Sequence, residues 1–581
     1  MRCARAADGI DRRRSSRSLA SSIVCRSSPD SASVTRRTLL LVSASRARIG
    51  LCYERRMRFF NTAGPCEPDR HYMLPAAPRL PEARGLIEQG GYFVVHAPRQ
   101  TGKTTTLRAI AKELAAEGRY AAVYSSCKVA EAAGEDIEQG VRAVLDQLRQ
   151  RATAALPPEL SPPNLWPEAP TLTLLSRALS DWAQRCPLPL VLFLDEVDAM
   201  FGLTLRAVLS QLHAGYPERP KLAPWSIVLC GLRDIRDYRE AAGKDPARFG
   251  SASPFNIKLD SLRLGDFSEA EVRALYGQHS VQTGQPFEEA ALLRVLEVTR
   301  GQPWLVNAIA QEIIGKIGVY PPTPITAEHV EQAKERLILN RGTHLDSLAA
   351  RLHEVRVQRV IEPVIAGDLR VSSAYDDDVE YVRDLGLFTA GRTLQIANPI
   401  YQEVIVRVLA SSVQRDIPVD PRSFVQADGK LAMGQILREF TAFYKEHGEL
   451  LAGDLSYHEV APQLVLMAYL QRVVNGGGYV AREYGIGRDR IDLLIRWPYT
   501  TPAGKRDWQL EALELKVWRL KKADPLPAGL LQLDGNLTRL GLSHGALVIF
   551  DRRPSARSLA QRVRLSTRKT PAGRVASVLR A

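Results

Sequence analysis

GYFVVHAPRQTGKTTTLRAIAKEL, residues 91–114, is the stretch from which the rest of the chain can be read. Gly91–His96 is a short apolar run with the length of a buried strand. Ala97-Pro98-Arg99-Gln100-Thr101-Gly102-Lys103-Thr104 follows at once, and Thr105–Glu113 has the amphipathic period of a helix. A strand, a glycine-containing loop ending Gly-Lys-Thr and a helix, in that order, is the arrangement that cradles a phosphate chain. The backbone N–H groups of the loop and of the helix N-terminus converge on the anion. Lys103 then reaches the β- and γ-phosphates, and the Thr104 hydroxyl ligates Mg²⁺. The loop opens on Ala97 where glycine is commoner. Residues 97–105 are therefore expected to bind ATP with Mg²⁺.

The other half of such a site is acidic. Leu188–Leu194 is an apolar run fit for a central parallel strand, and it ends in Asp195-Glu196. Asp195 is expected to hold the Mg²⁺ and Glu196 to polarise the attacking water. Asp198 reads as a helix-start residue. A third strand, Ser226–Cys230, runs into Gly231-Leu232-Arg233. Arg233 could sense the γ-phosphate as a charge-assisted donor, or be a surface arginine before a charged stretch.

The 581 residues leave room for three or four domains at about 100–200 residues each. No apolar run approaches the roughly 18 residues of a membrane span, so no membrane partner is expected. The seven cysteines form neither a Cys-x-x-Cys pair nor a Cys/His cluster, which fits a reducing, cytoplasmic setting and argues against a disulfide framework and a structural zinc site. The net charge is +14, but residues 1–56 and 552–581 carry +9 each, which leaves −4 for the body between them. Any nucleic-acid affinity inferred from charge belongs to the ends. Residues 1–56, rich in Arg and Ser, read as a disordered extension, a start placed too early (with Met57 the true start) or a transit peptide.

The stretches 96–111 (HAPRQTGKTTTLRAIA), 191–198 (VLFLDEVD), 227–234 (IVLCGLRD) and 300–313 (RGQPWLVNAIAQEI) together resemble AAA+/STAND-type P-loop ATPases, specifically bacterial AAA-like ATP-binding proteins. The resemblance implies that Gly301-Gln302-Pro303 belongs to a helical lid, with Pro303 beside the nucleotide base, and that Arg233 is a sensor arginine. No arginine finger for a neighbouring subunit stands out, so a ring is not implied, although a homo-oligomer remains possible.

The core is expected to span 57–265 and the helical lid 266–340. Residues 341–410 give helices at Leu345–Ile365 and Asp376–Leu385, then a hairpin at Leu387–Ile396 around Gly391. That order resembles a winged helix. Its second helix holds Asp376, Asp377, Asp378, Glu380 and Asp384 against one arginine. Phosphates would repel it, so an intramolecular or regulatory role leads over DNA loading.

Residues 411–450 read as a linker and a helix, and 451–551 carry a second site. Ser456–Val474 reads as a helix, Tyr479–Tyr484, Arg490–Trp497 and Trp508–Trp518 as strands, Pro498–Asp507 as a loop, Leu530–Leu540 as a helix and Ala546–Asp551 as a strand. Glu514 and Lys516 lie two apart on a strand and so share a face. Burying both is costly unless they serve each other or a metal. With Asp492 on the neighbouring strand they make a candidate Mg²⁺ site, with Mn²⁺ as an alternative.

This α-β-β-β-α-β order with Asp492 and Glu514-Leu515-Lys516 resembles the PD-(D/E)XK nuclease superfamily. The resemblance implies that Glu459 is an additional metal carboxylate and that Gln532 is the glutamine often found on the second helix. Ile491 stands where the family pattern has proline. The basic segment 552–581, with Arg557, Arg562 and Arg564, could contact a phosphate backbone or be a solvated basic face on a last helix and strand. The whole then reads as an α/β multidomain ATPase whose nucleotide state moves the lid and winged-helix-like module against a metal-dependent nuclease. The competing reading is a non-cleaving, ATP-dependent regulatory switch with a degenerate nuclease fold used for binding.

Overall fold

Short apolar segments build the first sheet because both of its faces are covered. Strands β1 (Tyr92–His96), β2 (Ala121–Ser126), β3 (Leu190–Asp195), β4 (Ser226–Gly231) and β5 (Lys258–Arg263) lie in the order β2-β3-β4-β1-β5, and every neighbouring pair is parallel. Alternate residues serve opposite faces. Phe93 and Val95 pack with Ile87 of α1 (Pro81–Glu88) and Leu107 and Ile110 of α2 (Lys103–Ala116). Tyr92 and Val94 share the other core with α3 (Ile137–Ala155), α4 (Thr171–Arg185) and α5 (Gly202–Gly215). A strand buried on both sides reads as a continuous apolar run, as Leu190–Leu194 does, and the buried Asp195 closes it. The computed structural model describes residues 57–581 apart from 201, 233–257, 341, 366–376, 390, 392, 416–420, 454–460, 475–477, 487, 488 and 503.

The expected lid is helical. It consists of α6 (Glu269–Thr283), α7 (Glu289–Thr299), α8 (Pro303–Gln311) with a π-turn at Glu312–Ile317, and α9 (Ala327–Asn340). Ser268 and Glu271 close a capping box at the start of α6. The next module has α10 (Thr343–Arg351), α11 (Val355–Ile365), α12 (Asp377–Asp384) and α13 (Pro399–Arg415), with one antiparallel bridge, Phe388 to Ile396, where the hairpin was expected. The single helix expected over Leu345–Ile365 is two. The chain turns at Leu352–Glu354, and the Glu354 carbonyl accepts the amides of Val357 and Gln358 in the first turn of α11. Two of the acids of α12 are paired within the module. Asp378 takes Arg356 (3.1 Å) and Arg359 (2.8 Å), both from α11, and Glu380 pairs with Arg383.

The second sheet is mixed. After α14 (Met433–Gly453) and α15 (Ala461–Val474) come β6 (Tyr479–Ile486), β7 (Asp489–Thr500), β8 (Arg506–Trp518), α16 (Leu526–Leu540), β9 (His544–Asp551), β10 (Arg564–Lys569) and β11 (Val575–Arg580). The strand order is β10-β11-β9-β8-β7-β6. β6, β7 and β8 are antiparallel in succession, while β8, β9 and β11 run parallel. The α-β-β-β-α-β order of the sequence reading is therefore present. Two corrections concern its edges. β7 and β8 reach Thr500 and Arg506, so the loop expected over Pro498–Asp507 shrinks to a few residues. The basic stretch 552–581 is no appendage, because β10 and β11 belong to the sheet. The linker expected from residue 411 begins later, since α13 continues to Arg415.

One hydrophobic core runs without interruption from the lid (Tyr276, Ile309) through α13 (Ile405) and α15 (Leu466) to one face of the second sheet (Leu493, Leu513, Val548). The P-loop sheet has two cores of its own. Polar links reinforce the larger body, with Arg407 of α13 bidentate on Glu335 of α9 at 2.8 Å and 2.8 Å. Movement of the lid against the C-terminal sheet would therefore have to open this shared core. Separating them would expose a shared apolar interface, costing about 25 cal/mol per Å². Among the described residues no helix is long and apolar enough to cross a membrane.

Candidate functional site

The phosphate loop leaves β1 and enters α2. Gly102 caps α2 at φ +94, a conformation that L side chains rarely adopt, and Gln100 is also left-handed at φ 61. Thr101 is buried, with its hydroxyl donating to the Pro98 carbonyl at 2.9 Å. Lys103 Nζ donates to the carbonyls of Ala97 (2.7 Å) and Pro98 (2.8 Å). Thr104 Oγ1 donates to Asp195 Oδ2 at 2.6 Å, so the two expected magnesium ligands already face each other across the cleft. Asp195 Oδ1 accepts the amide of Glu196 at 2.8 Å. Glu196 turns the chain at φ 57 and ψ 40, and Ser126 of β2 donates to its Oε2 at 2.6 Å.

These groups open into a cavity of about 610 Å³. Arg99, Gln100, Gly102–Thr105, Asp195, Glu196 and Pro303 all line it. Asp198 lines it too, from a short 3₁₀ turn at Val197–Ala199. The size fits a nucleotide, and the wall changes from polar at Lys103 and Thr104 to apolar at Leu74, Leu275 and Trp304. Thr105 Oγ1 accepts the amide of Cys66 at 3.0 Å. Arg233 lies outside the described residues.

Gly301-Gln302-Pro303 is where the lid meets this cavity. Gly301 has φ +79, and a Cβ there would lie 1.9 Å from the Phe267 carbonyl oxygen. The Gly301 carbonyl accepts the Phe267 amide at 2.8 Å, and Gln302 caps α8 through Leu305 N at 2.6 Å. The turn therefore requires glycine, and it sets Pro303 and Trp304 against the cavity.

Some of the site was not read from the sequence. Tyr124 of β2 donates to Asp195 Oδ2 at 2.9 Å. Burial, and then the Asp195 charge, push its phenol well above the usual range. AAVYSS carries no charge or motif, so nothing in the sequence marks it. Residues 61–79 form another wall, held where Trp304 Nε1 donates to the Thr62 carbonyl at 2.9 Å.

The second constellation lies on the face of the second sheet covered by α16. Asp492 of β7 accepts the amide of Leu515 on Oδ2 at 2.7 Å. Glu514 is fully buried; Lys516 Nζ reaches its Oε1 at 2.6 Å, and Asn536 Nδ2 its Oε2 at 3.2 Å. Lys516 Nζ also reaches Gln532 Oε1 at 2.9 Å. Burial, and then the Asp492 charge, push the Glu514 carboxyl up to about 8 against the pull of Lys516. Asp492, Glu514, Lys516 and Gln532 are thus brought together, with Asn536 as an unforeseen member. Glu459 lies outside the described residues. Among the described residues no group of three or more His, Cys, Asp and Glu side chains stands ready for a metal ion.

A parallel sheet with a phosphate loop after β1, and an acidic end on β3 bonded to the loop threonine, defines a P-loop nucleotide-binding domain. Residues 83–223 match the family model of the AAA ATPase domain. This part of the chain is accordingly an AAA-like P-loop ATPase domain, and it binds ATP. No curated protein matches the sequence. Among solved structures, the Walker-type ATPase PABY2304 of Pyrococcus abyssi is similar at 14% identity and TM-score 0.42, covering 60% of this chain and 99% of its own. The ORC2 protein of Aeropyrum pernix is similar at 14% identity and TM-score 0.35, covering 58% and 93%. The RuvB Holliday junction branch migration motor of Thermotoga maritima is similar at 14% identity and TM-score 0.29, covering 54% and 88%. Likeness at this level carries no functional argument.

Proposed function

We propose that the protein is an ATP-controlled, divalent-cation-dependent nuclease. The observation that carries the reading is the convergence of Asp492, Glu514, Lys516 and Gln532 on one face of the second sheet. A buried carboxylate beside a second carboxylate is costly in isolation, and a divalent cation relieves that cost. Asp492 and Glu514 would hold Mg²⁺ or Mn²⁺, with Glu459 a further candidate ligand. When bound, the cation supplies an activated water and neutralises charge on the phosphate. Lys516 would turn from Gln532 to a phosphate oxygen. In the ATPase domain, Thr104 and Asp195 would hold Mg²⁺, Glu196 would orient the attacking water, and Arg233 would sense the γ-phosphate.

Two features support a nucleic-acid partner and control by ATP. Lys516, Ile549, Arg580 and Arg564 are successive partners across β8, β9, β11 and β10, so the three cations share the face of Glu514. Beside them Arg553 stacks on Trp518 at 3.4 Å from the ring centroid, held by Asp551. Such a row suits a phosphodiester backbone. The shared core links the lid to this sheet, and a Cβ on Gly386 would lie 2.6 Å from Pro98 of the phosphate loop.

The test is cleavage of labelled DNA and RNA by the full chain in Mg²⁺ or Mn²⁺. Lys516→Ala and Asp492→Asn should each lower the rate on the order of 100-fold or more while leaving ATP hydrolysis intact. Cleavage that survives both substitutions would overturn the proposal. The competing reading, a non-cleaving switch, is favoured by one observation: Lys516, Asn536 and the Leu515 amide already satisfy the carboxylates within the protein. It predicts nucleic-acid binding without cleavage in any cation.

A further inference from the structure

Asn307 sits one turn after Pro303 on α8, so both face the same cavity. It is 8% exposed. Its Nδ2 donates to the Pro303 carbonyl at 2.8 Å. That bond fixes the amide, because the flipped rotamer would set its oxygen against another oxygen. The Asn307 Oδ1 is left buried with no protein partner. Several other acceptors on the cavity wall are engaged. The Thr62 carbonyl takes Trp304, Asn61 Oδ1 takes the Ala63 amide at 3.1 Å, and Asp195 takes Thr104 and Tyr124. A buried acceptor without a donor is costly, and such groups in native proteins mark a bound ligand or water.

The neighbours of Asn307 indicate which ligand atom it faces. Leu74, Leu275, Pro303 and Trp304 make this wall apolar, which suits a purine ring, whereas the phosphates belong at Lys103 and Thr104. A purine placed there presents one group that separates adenine from guanine and hypoxanthine. Adenine carries an exocyclic amine at C6, a donor; the other two carry a carbonyl there, an acceptor. We propose that Asn307 is the residue that selects adenine, its Oδ1 accepting a hydrogen bond from the N6 amine of ATP. A C6 carbonyl would instead meet the Oδ1 acceptor to acceptor. The selection is by polarity, not size, since the two purines differ little in volume. Its basis is the ATP site of the P-loop domain, and it stands whether or not the second sheet cleaves nucleic acid.

The test uses the full chain and three nucleotides, ATP, inosine triphosphate and N6,N6-dimethyl-ATP, measured by competition for binding. The wild-type protein should prefer ATP over both analogues by roughly tenfold or more, since each leaves Oδ1 unpaired or opposed. Asn307→Leu and Asn307→Ala should both collapse the preference for ATP over inosine triphosphate towards unity, chiefly by weakening ATP. Equal binding of the three nucleotides by the wild-type protein would overturn the proposal without reference to any variant. A preference that persists in Asn307→Ala would overturn it as well.

Discussion

Glu514 shows how far one side chain can be understood from its surroundings. Its place in the sequence announces a buried charge, because Leu513 and Leu515 flank it on a strand with Ala512. The structure adds what the spacing could not contain, namely that Asn536 and Lys516 share its two oxygens. The shift to about 8 from 4.5 has a consequence for stability. The folded protein holds a proton that the unfolded chain releases, so this contribution is complete below about 4.5 and is lost as the pH rises through about 8. Glu514→Gln removes the titration. In the presence of a chelator, thermal unfolding should therefore show the variant gaining on the wild-type protein at pH 8, with the gap closing near pH 5. A gap independent of pH would contradict the account. Thr104 and Asp195 were equally legible one by one, since a phosphate loop needs a hydroxyl and an acid. Tyr124 was not, because a tyrosine in a neutral strand carries no signal until its neighbour is known.

Among the elements, the long apolar or strongly patterned ones could be read and the short ones could not. β3 was found because burial on both faces forces a continuous apolar run, although Pro189 delays its start to Leu190. β8 was found because Leu513, Leu515 and Val517 alternate with Glu514 and Lys516 along it. β5 escaped: KLDSLR is an edge strand, covered on one side by β1 alone and free to carry charge. In the basic segment a last helix and one strand are legible, but the split into β10 and β11 is not, because β10 is an edge strand free to carry charge. The turn between α7 and α8 is the element most dependent on a single residue. Gly301→Ala would place a methyl group 1.9 Å from the Phe267 carbonyl oxygen in a backbone region hostile to L residues. It should destabilise the protein by about 1–3 kcal/mol and weaken ATP binding by displacing Pro303. Thermal unfolding and nucleotide titration would check both, and an unchanged midpoint would contradict the reading of this turn.

For the molecule as a whole, the main departure from the sequence reading is the distribution of its cores. A boundary near residue 411 looked natural because the composition turns polar. Composition, however, cannot report which helices share an interface, and α13 spans the supposed boundary to pack on α15. The lid, the module after it and the second sheet then form one apolar body beside the P-loop sheet. A change at the nucleotide would act between the P-loop sheet and that body, with Pro98–Gly386 and Arg99–Ser347 at the seam. Control of the second sheet by ATP therefore needs no separate hinge between lid and sheet. The direct measurement is the rate of nucleic-acid cleavage with and without ATP, in the wild-type protein and in Lys103→Ala. The account predicts a wild-type rate that changes with ATP and a Lys103→Ala rate that does not. A cleavage rate indifferent to ATP in both proteins would contradict it.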